Sequence, residues 1–286
     1  MGRNMHTEEG IVLQLQDLGV EAGDVLLIRA SLGKLGRVKG GKNSIYGALK
    51  SSVGDNGTLV TLGFTKIFPF WKVDRGYLFD ENTPSTTGAL SKLFLSDSQS
   101  RRSSHPCCSF ISVGDKSEFI VEGHTANSLS YTPIEKLISL NAKMLLIGCA
   151  DSSPGFTTVH YAQELLGITK KNYFSGLFRV FYKCPDTGET KLFIRKDIGG
   201  CSKGFENMYK DYIKRNALFS GMVGDAYCLL IDTKTAFEID LEKLKENKKY
   251  VLCSSPVCVS CRASWVFNMI DIPVYIFHKI YNKFKR

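Results

Sequence analysis

Two histidines in this 286-residue chain stand where a side chain could move a proton. His160 lies in Thr157-Thr-Val-His-Tyr-Ala-Gln-Glu164, whose apolar spacing predicts a helix over 158–166 after a strand over 143–148. Glu164, four residues on, falls on the same helix face. An ammonium is not a nucleophile, and an imidazole oriented by a carboxylate can remove its proton. A solvated helix face accounts for the same pair without chemistry. His105 stands in Arg101-Arg-Ser-Ser-His-Pro-Cys-Cys-Ser-Phe110. The proline after it keeps it on extended chain or at a turn. A lone histidine is more often structural, but the adjacent Arg and Ser residues favour a site. Cys107 or Cys108 beside His105 would make a thiol nucleophile, a rival to direct attack by the amine.

Groups suited to an anionic ligand surround these residues in sequence. Arg29-Ala-Ser-Leu-Gly-Lys-Leu-Gly36 follows a strand predicted over 24–29. Backbone N–H groups at such a strand end can cradle a phosphate or a pantetheine amide, although an ordinary Gly-rich turn has the same composition. Phe79-Asp-Glu-Asn-Thr-Pro-Ser-Thr-Thr-Gly-Ala-Leu90 reads as a loop feeding a helix over 87–95. Arg101 and Arg102 add planar guanidinium forks.

The nine cysteines come without an apparent export signal in residues 1–10, so they are expected as reduced thiols or metal ligands in the cytosol. Cys253, Cys258 and Cys261 are closely spaced, with a C-x₂-C knuckle at 258–261. Together with Cys201 they could form a structural zinc site, the alternative being four reduced, partly buried thiols. The last residues, 264–286, mix aromatics and aliphatics with Lys279, Lys283, Lys285 and Arg286. Such a segment packs on the core or on a second subunit of a homo-oligomer, or makes weak contact with an anionic membrane surface.

The elements that must position these groups are short. Apolar runs at 24–29, 57–63 and 143–148 read as buried strands, and they alternate with helices over 8–18, 43–53, 87–95, 134–140 and 158–166. Thr7 is the expected cap of the first helix. Alternation of this kind implies an α/β layered fold with parallel strands. Beyond residue 170 a hairpin is predicted, 178–183 against 190–195 around Pro185-Asp-Thr-Gly188. A helix near 203–215 and a strand over 227–231 follow. No linker composition interrupts the chain, so one domain is expected over 1–286: an α/β core to 170 that carries the candidate site, an antiparallel extension over 171–262, and the amphipathic tail 263–286.

Seven segments in order resemble the aminoglycoside 3-N-acetyltransferase family: Arg29-Ala-Ser-Leu32, Val53-Gly-Asp-Asn-Gly-Thr-Leu-Val60, Thr83-Pro-Ser-Thr-Thr-Gly-Ala-Leu90, Arg102-Ser-Ser-His-Pro-Cys-Cys-Ser-Phe110, Thr132-Pro-Ile-Glu-Lys-Leu137, Lys143-Met-Leu-Leu-Ile-Gly148 and Thr158-Val-His-Tyr-Ala-Gln-Glu164. The resemblance implies a three-layer α/β/α sandwich with a mixed sheet and acetyl-coenzyme A as co-substrate. It implies His160 as catalytic base with Glu164 orienting it, and His105 lining the site. Ser31, Leu32, Gly33, Thr83, Ser85, Thr86, Arg102 and Ser103 would hold the cofactor. The chain departs from the family at Arg29-Ala30-Ser31 and at Gly63, near the acceptor.

The 37 basic and 28 acidic residues give a net charge of +9. The basic residues are scattered, without a stripe or a nucleic-acid motif, so nucleic acid is not an expected partner. A basic surface suits two anionic ligands better than a polycation. The expected acceptor is therefore a nucleotide-linked amino sugar of surface-polysaccharide synthesis. The alternatives are an aminoglycoside, or a protein that binds coenzyme A or nucleic acid without turnover.

Overall fold

The computed structural model describes residues 5–168, 176–197 and 201–255, with Cys258, Cys261, Pro273, Ile276, Phe277, Ile280 and Tyr281. In chain order its elements are α1 (Glu8–Leu18), β1 (Val25–Ala30), α2 (Gly41–Val53), β2 (Thr58–Leu62), β3 (Phe68–Pro69), β4 (Leu78–Phe79), α3 (Ala89–Ser96), β5 (Arg101–Arg102), β6 (Phe110–Gly114), α4 (Ser117–Val121), α5 (Pro133–Ser139), β7 (Lys143–Ile147) and α6 (Thr158–Leu165). There follow β8 (Phe178–Lys183), β9 (Thr190–Ile194), α7 (Tyr209–Lys214), β10 (Leu218–Val223), β11 (Ala226–Asp232) and α8 (Thr233–Glu246).

The main sheet has the strand order β10-β11-β7-β1-β2-β6-β5. Its centre is parallel, β7, β1 and β2, and its flanks are antiparallel. The central strands are continuous apolar runs because both of their faces are covered. Side chains alternate across a strand. Leu26 and Ile28 accordingly pack with Ile11, Leu15, Ile45 and Phe94 of α1 to α3, while Val25 and Leu27 pack with Ile134, Val159 and Ile239 of α5, α6 and α8. The result is a three-layer α/β/α sandwich. Helix α1 begins as its sequence dictates, with the Thr7 side chain accepting from Gly10 N at 3.1 Å.

The antiparallel extension expected over 171–262 takes two forms. Strands β10 and β11 continue the main sheet, with Ile231 opposite Met144 and Leu230 opposite Leu145. The β8–β9 hairpin instead leaves that sheet and joins β3 and β4 in a second, small one. Helix α8 is an addition to the elements expected from the pattern. The tail 263–286 lies outside the described residues except at Pro273, Ile276, Phe277, Ile280 and Tyr281, which are exposed. Among the described residues no helix is long and apolar enough to cross a membrane.

Candidate active site

The parallel strands end together, and the cavity lies beyond their carboxyl ends, where open α/β sheets hold ligands. It has a volume of about 700 Å³. Arg29 and Ala30 enter it from the end of β1, Thr61 and Leu62 from β2, and Thr86, Thr87 and Gly88 from the loop before α3. Cys149 follows β7, and Thr157 and His160 begin α6. Tyr131, Cys107, Cys108, Arg195 and Ser202 close the wall.

Among the described residues, three side chains hold His160. Tyr131 stacks on it, with ring centroids 4.5 Å apart and 14° between planes, and Phe205 meets it edge-on at 4.7 Å. Its Nδ1 lies 3.2 Å from Gln163 Oε1. A carbonyl oxygen only accepts, so this bond puts the proton on Nδ1 and makes Nε2 the basic nitrogen of the neutral ring. Burial pulls the imidazole pKa down to about 3, against the hydrogen bond to Gln163 that favours its charged form. The ring is therefore neutral at physiological pH.

Glu164 does not orient His160 as expected. Its Oε2 accepts from Tyr131 N at 3.2 Å, and the carboxyl faces Asp197. Burial, reinforced by Asp197, pushes Glu164 up to about 10, so it carries a proton. Burial works to raise Asp197 as well, but the hydrogen bond from Glu164 and the guanidinium of Arg195 at 3.8 Å hold it below the usual range. It accepts from Ser130 N at 2.7 Å. Helical spacing places Glu164 beside His160, yet a buried backbone N–H at Tyr131 competes for the same carboxylate and wins.

His105 does not line the cavity. It is fully buried, and its Nδ1 accepts from Cys108 N at 3.0 Å and Cys107 N at 3.3 Å. Its ring stacks on His124 at 4.7 Å. Its place is behind the wall, fixing the turn that carries the two cysteines.

Of the residues expected to hold the cofactor, Thr86 lines the cavity and the others are placed elsewhere. Leu32 is buried in the core layer under α1 and α2. Ser31 N donates to Ile147 O at 2.8 Å, and Gly33 is exposed with open space where a Cβ would stand. The Thr83 hydroxyl closes its own turn on Asp80, and Ser85 donates to Phe64 O. Ser103 is buried against Phe110 N and His124 Nδ1, each at 2.9 Å. Arg102 is a clamp. Its guanidinium donates to Ser109 Oγ at 2.9 Å, Gly63 O at 2.7 Å, Glu81 O at 3.1 Å and Thr83 O. With Ser103 it borders a second cavity of about 520 Å³, alongside Arg101 and Lys183. A charged hydrogen bond contributes roughly 1.5–3 kcal/mol. Arg102→Ala is thus expected to destabilise the fold by several times RT, seen as a lower denaturation midpoint. A phosphate ligand role would show instead as weaker, salt-sensitive coenzyme binding at unchanged stability.

Arg29 and Arg195 are functional candidates beyond the residues expected from the motifs. Arg29 donates to Gly155 O at 2.7 Å and Ser153 O at 2.8 Å, and so holds the loop that leads into α6. Gly155 has φ +77°, and a Cβ there would collide with Phe205, the ring that packs on His160. The usable signal was an arginine ending a buried apolar strand, which charged residues rarely do unless paired. Arg195 ends the hairpin, and only the small sheet brings it to the cavity. Two guanidinium groups and no carboxylate line the cavity among the described residues, which favours an anion.

Cys201, Cys253, Cys258 and Cys261 do come together. Their sulfurs all lie within 4.8 Å of one another, and Cys261 Sγ is 3.5 Å from Cys253 Sγ.

His105 and His124, both buried, and His160, half-buried at the cavity wall, set how stability depends on pH. Burial lowers His105 to about 4 and His124 and His160 to about 3. Unfolding frees all three to take protons below their ordinary value of about 6.5. Glu164 at about 10 and Asp240, raised by burial to about 7, act oppositely, releasing protons on unfolding. Near pH 5.5 the unfolded chain still binds about one more proton than the folded one, so stability rises with pH there by roughly 1.4 kcal/mol per unit. The loss steepens below about pH 4.5, where the unfolded carboxylates are protonated too. Thermal melts from pH 7 to 4 check this, and a flat melting temperature would contradict it.

The family model described as aminoglycoside 3-N-acetyltransferase matches residues 27–245. Aminoglycoside N(3)-acetyltransferase III of Salmonella sp is 30% identical over 273 residues, covering 85% of this chain and 93% of the relative. Two solved structures share the fold. Aminoglycoside acetyltransferase AAC(3)-IVa, as a mutant in complex with a gentamicin, is 23% identical with a TM-score of 0.77, covering 92% of this chain and 98% of that one. AAC-IIIb in binary complex with CoASH is 20% identical with a TM-score of 0.71, covering 85% and 97%. Match and fold together define an N-acetyltransferase. The chain belongs to the aminoglycoside 3-N-acetyltransferase family.

That membership overturns the expectation of a nucleotide-linked amino sugar as acceptor, because the matched family and relatives are aminoglycoside enzymes. Net charge misled because it does not say which ligand the basic groups serve: the guanidinium groups of the cavity suit an anion, and that anion need not be the acceptor.

Proposed function

We propose that this chain transfers the acetyl group of acetyl-coenzyme A to the 3-amino group of an aminoglycoside, with His160 as general base. The observation that carries the reading is a neutral, aromatic-clamped imidazole at the wall of the cavity beyond the parallel strands. Gln163 fixes the tautomer in which Nε2 is the nitrogen that takes up a proton. The charges of Arg29 and Arg195 on the same wall favour the anionic donor and disfavour the ammonium form of the acceptor. The free amine attacks the thioester carbonyl. As the C–N bond forms, His160 Nε2 takes one proton from the attacking nitrogen; the C–S bond then breaks, and that proton passes to the leaving thiolate. Thr157, three residues before His160 and on the same wall, supplies a hydroxyl to the developing oxyanion. Thr86, on the same wall, contacts the coenzyme. Use of acetyl-coenzyme A supports a cytosolic location for the reaction.

The four-cysteine cluster is suited to a structural zinc ion. Four thiolates about 2.3 Å from a tetrahedral zinc have sulfurs a little under 4 Å apart; here one pair lies at 3.5 Å and all four lie within 4.8 Å of one another, so a small contraction completes the site. The ion would tie the segment around Ser202 and Phe205 to the chain near Cys258. The exposed Ile276, Phe277, Ile280 and Tyr281 have the spacing of one helical face and support a surface-contact role for the tail.

A free-thiol assay with acetyl-coenzyme A and a panel of aminoglycosides tests the activity. Release of coenzyme A only when an aminoglycoside is present is the expected result. Release that depends on some other amine, with none on any aminoglycoside, would overturn the acceptor.

A further inference from the structure

Cys107 and Cys108 take no part in the transfer described above, yet both line its cavity. They are adjacent in sequence, and their sulfurs lie 3.5 Å apart. Each is nearly buried, at 3% and 2% exposure, so solvent reaches the sulfurs chiefly through the cavity. Their orientation is built in. Both backbone N–H groups donate to His105 Nδ1, which is itself stacked on His124, and Cys107 O accepts from Thr65 N at 3.1 Å. The pair therefore presents two sulfurs converging on one point.

Two convergent thiols bind a soft, three-coordinate centre better than one thiol does, because the second bond forms without a further loss of translational freedom. The Cys108 thiol donates to Cys107, which lowers the Cys107 pKa despite burial, and the Arg195 guanidinium favours the thiolate further. We propose that Cys107 and Cys108 form a dithiol site for trivalent arsenicals, opening into the active-site cavity, whose occupation stops acetyl transfer. An organic arsenoxide reacts there without any redox change. Two As–S bonds form, the As–O bond breaks, and the oxygen leaves as water with the two thiol protons. The arsenic substituent then fills the space beside His160 and Thr65. The blocking of transfer rests on the functional reading of this cavity, whereas the formation of the adduct does not.

The test is phenylarsine oxide titrated into the purified enzyme in zinc-containing buffer, with transfer rate and a peptide-mapped mass adduct read together. The expected result is an adduct bridging Cys107 and Cys108 and loss of nearly all transfer, restored by 2,3-dimercaptopropanol but not by the same concentration of a monothiol. Prior saturation with coenzyme A slows the reaction. Cys107→Ser and Cys108→Ser, each compared with its own untreated rate, resist the reagent. An adduct found only on the Cys201 to Cys261 cluster would overturn the site, as would inhibition undiminished in both variants. Should either variant fail to fold, the adduct map and dithiol reversal on the parent enzyme decide alone. An adduct at 107–108 on a protein that never acetylates an aminoglycoside would sink the functional reading and leave the site standing.

Discussion

His160→Ala is expected to lower kcat by about 10²–10⁴-fold, the contribution typical of a positioned general base. The fold should survive. His160 is only half-buried at the cavity wall, and each kcal/mol lost moves the melting temperature of a chain this size by about 2–4 °C. A base acting on the amine should affect kcat more than the KM for acetyl-coenzyme A. Because burial holds the imidazole near 3, the activity of the parent enzyme should not fall through pH 6.5 as an ordinary histidine base would dictate. The acid limb should instead follow protonation of the acceptor amine. Near wild-type turnover in His160→Ala would remove His160 from the mechanism. The companion variant separates the two views of its neighbour. Glu164 is protonated and bonded to Tyr131 N, so Glu164→Gln, which keeps shape and neutrality, should retain most activity. A loss as large as that of His160→Ala would restore the dyad expected from helical spacing.

Removing zinc, the ion proposed for the cysteine cluster, is expected to have the largest effect on stability. Zinc-finger peptides derive roughly 10–16 kcal/mol from such a site. Here the site would support one corner of a larger domain, so loss of a few kcal/mol, about 10 °C in melting temperature, is the expected scale. Metal analysis should give one zinc per chain, and Cys258→Ser should lower both zinc content and melting temperature. Activity should fall with them, because Phe205, four residues after Cys201, forms one side of the His160 clamp. A protein without zinc, whose melting temperature does not respond to a chelator, would contradict this.

Much of the framework was legible before the structure. The runs that became β1, β2 and β7 are apolar on both faces, and only a doubly covered sheet accounts for that. Thr7 and the residues after it spell a helix start. The fate of the β8–β9 hairpin was not legible, since its pairing with the two-residue strands β3 and β4 is a tertiary choice that local pattern does not encode. The site divides similarly. His160 was recoverable because it sits in the first turn of a helix after a buried strand. Arg102 and Ser103 look like ligand residues in sequence, but buried carbonyls and a buried histidine claimed them first. Arg195 lies 35 residues from His160, and nothing in its neighbours marks it. The cysteines showed the reverse. A spacing pattern and one distant residue indicated a cluster that the fold assembles.

The most direct test of the central claim is to incubate the protein with acetyl-coenzyme A and a gentamicin-type aminoglycoside and to locate the new amide by NMR. The account predicts a single acetyl group on the 3-amino nitrogen, formed by the parent enzyme and not by His160→Ala at matched concentration. Acetylation at another position, or equal product from the histidine variant, would contradict it.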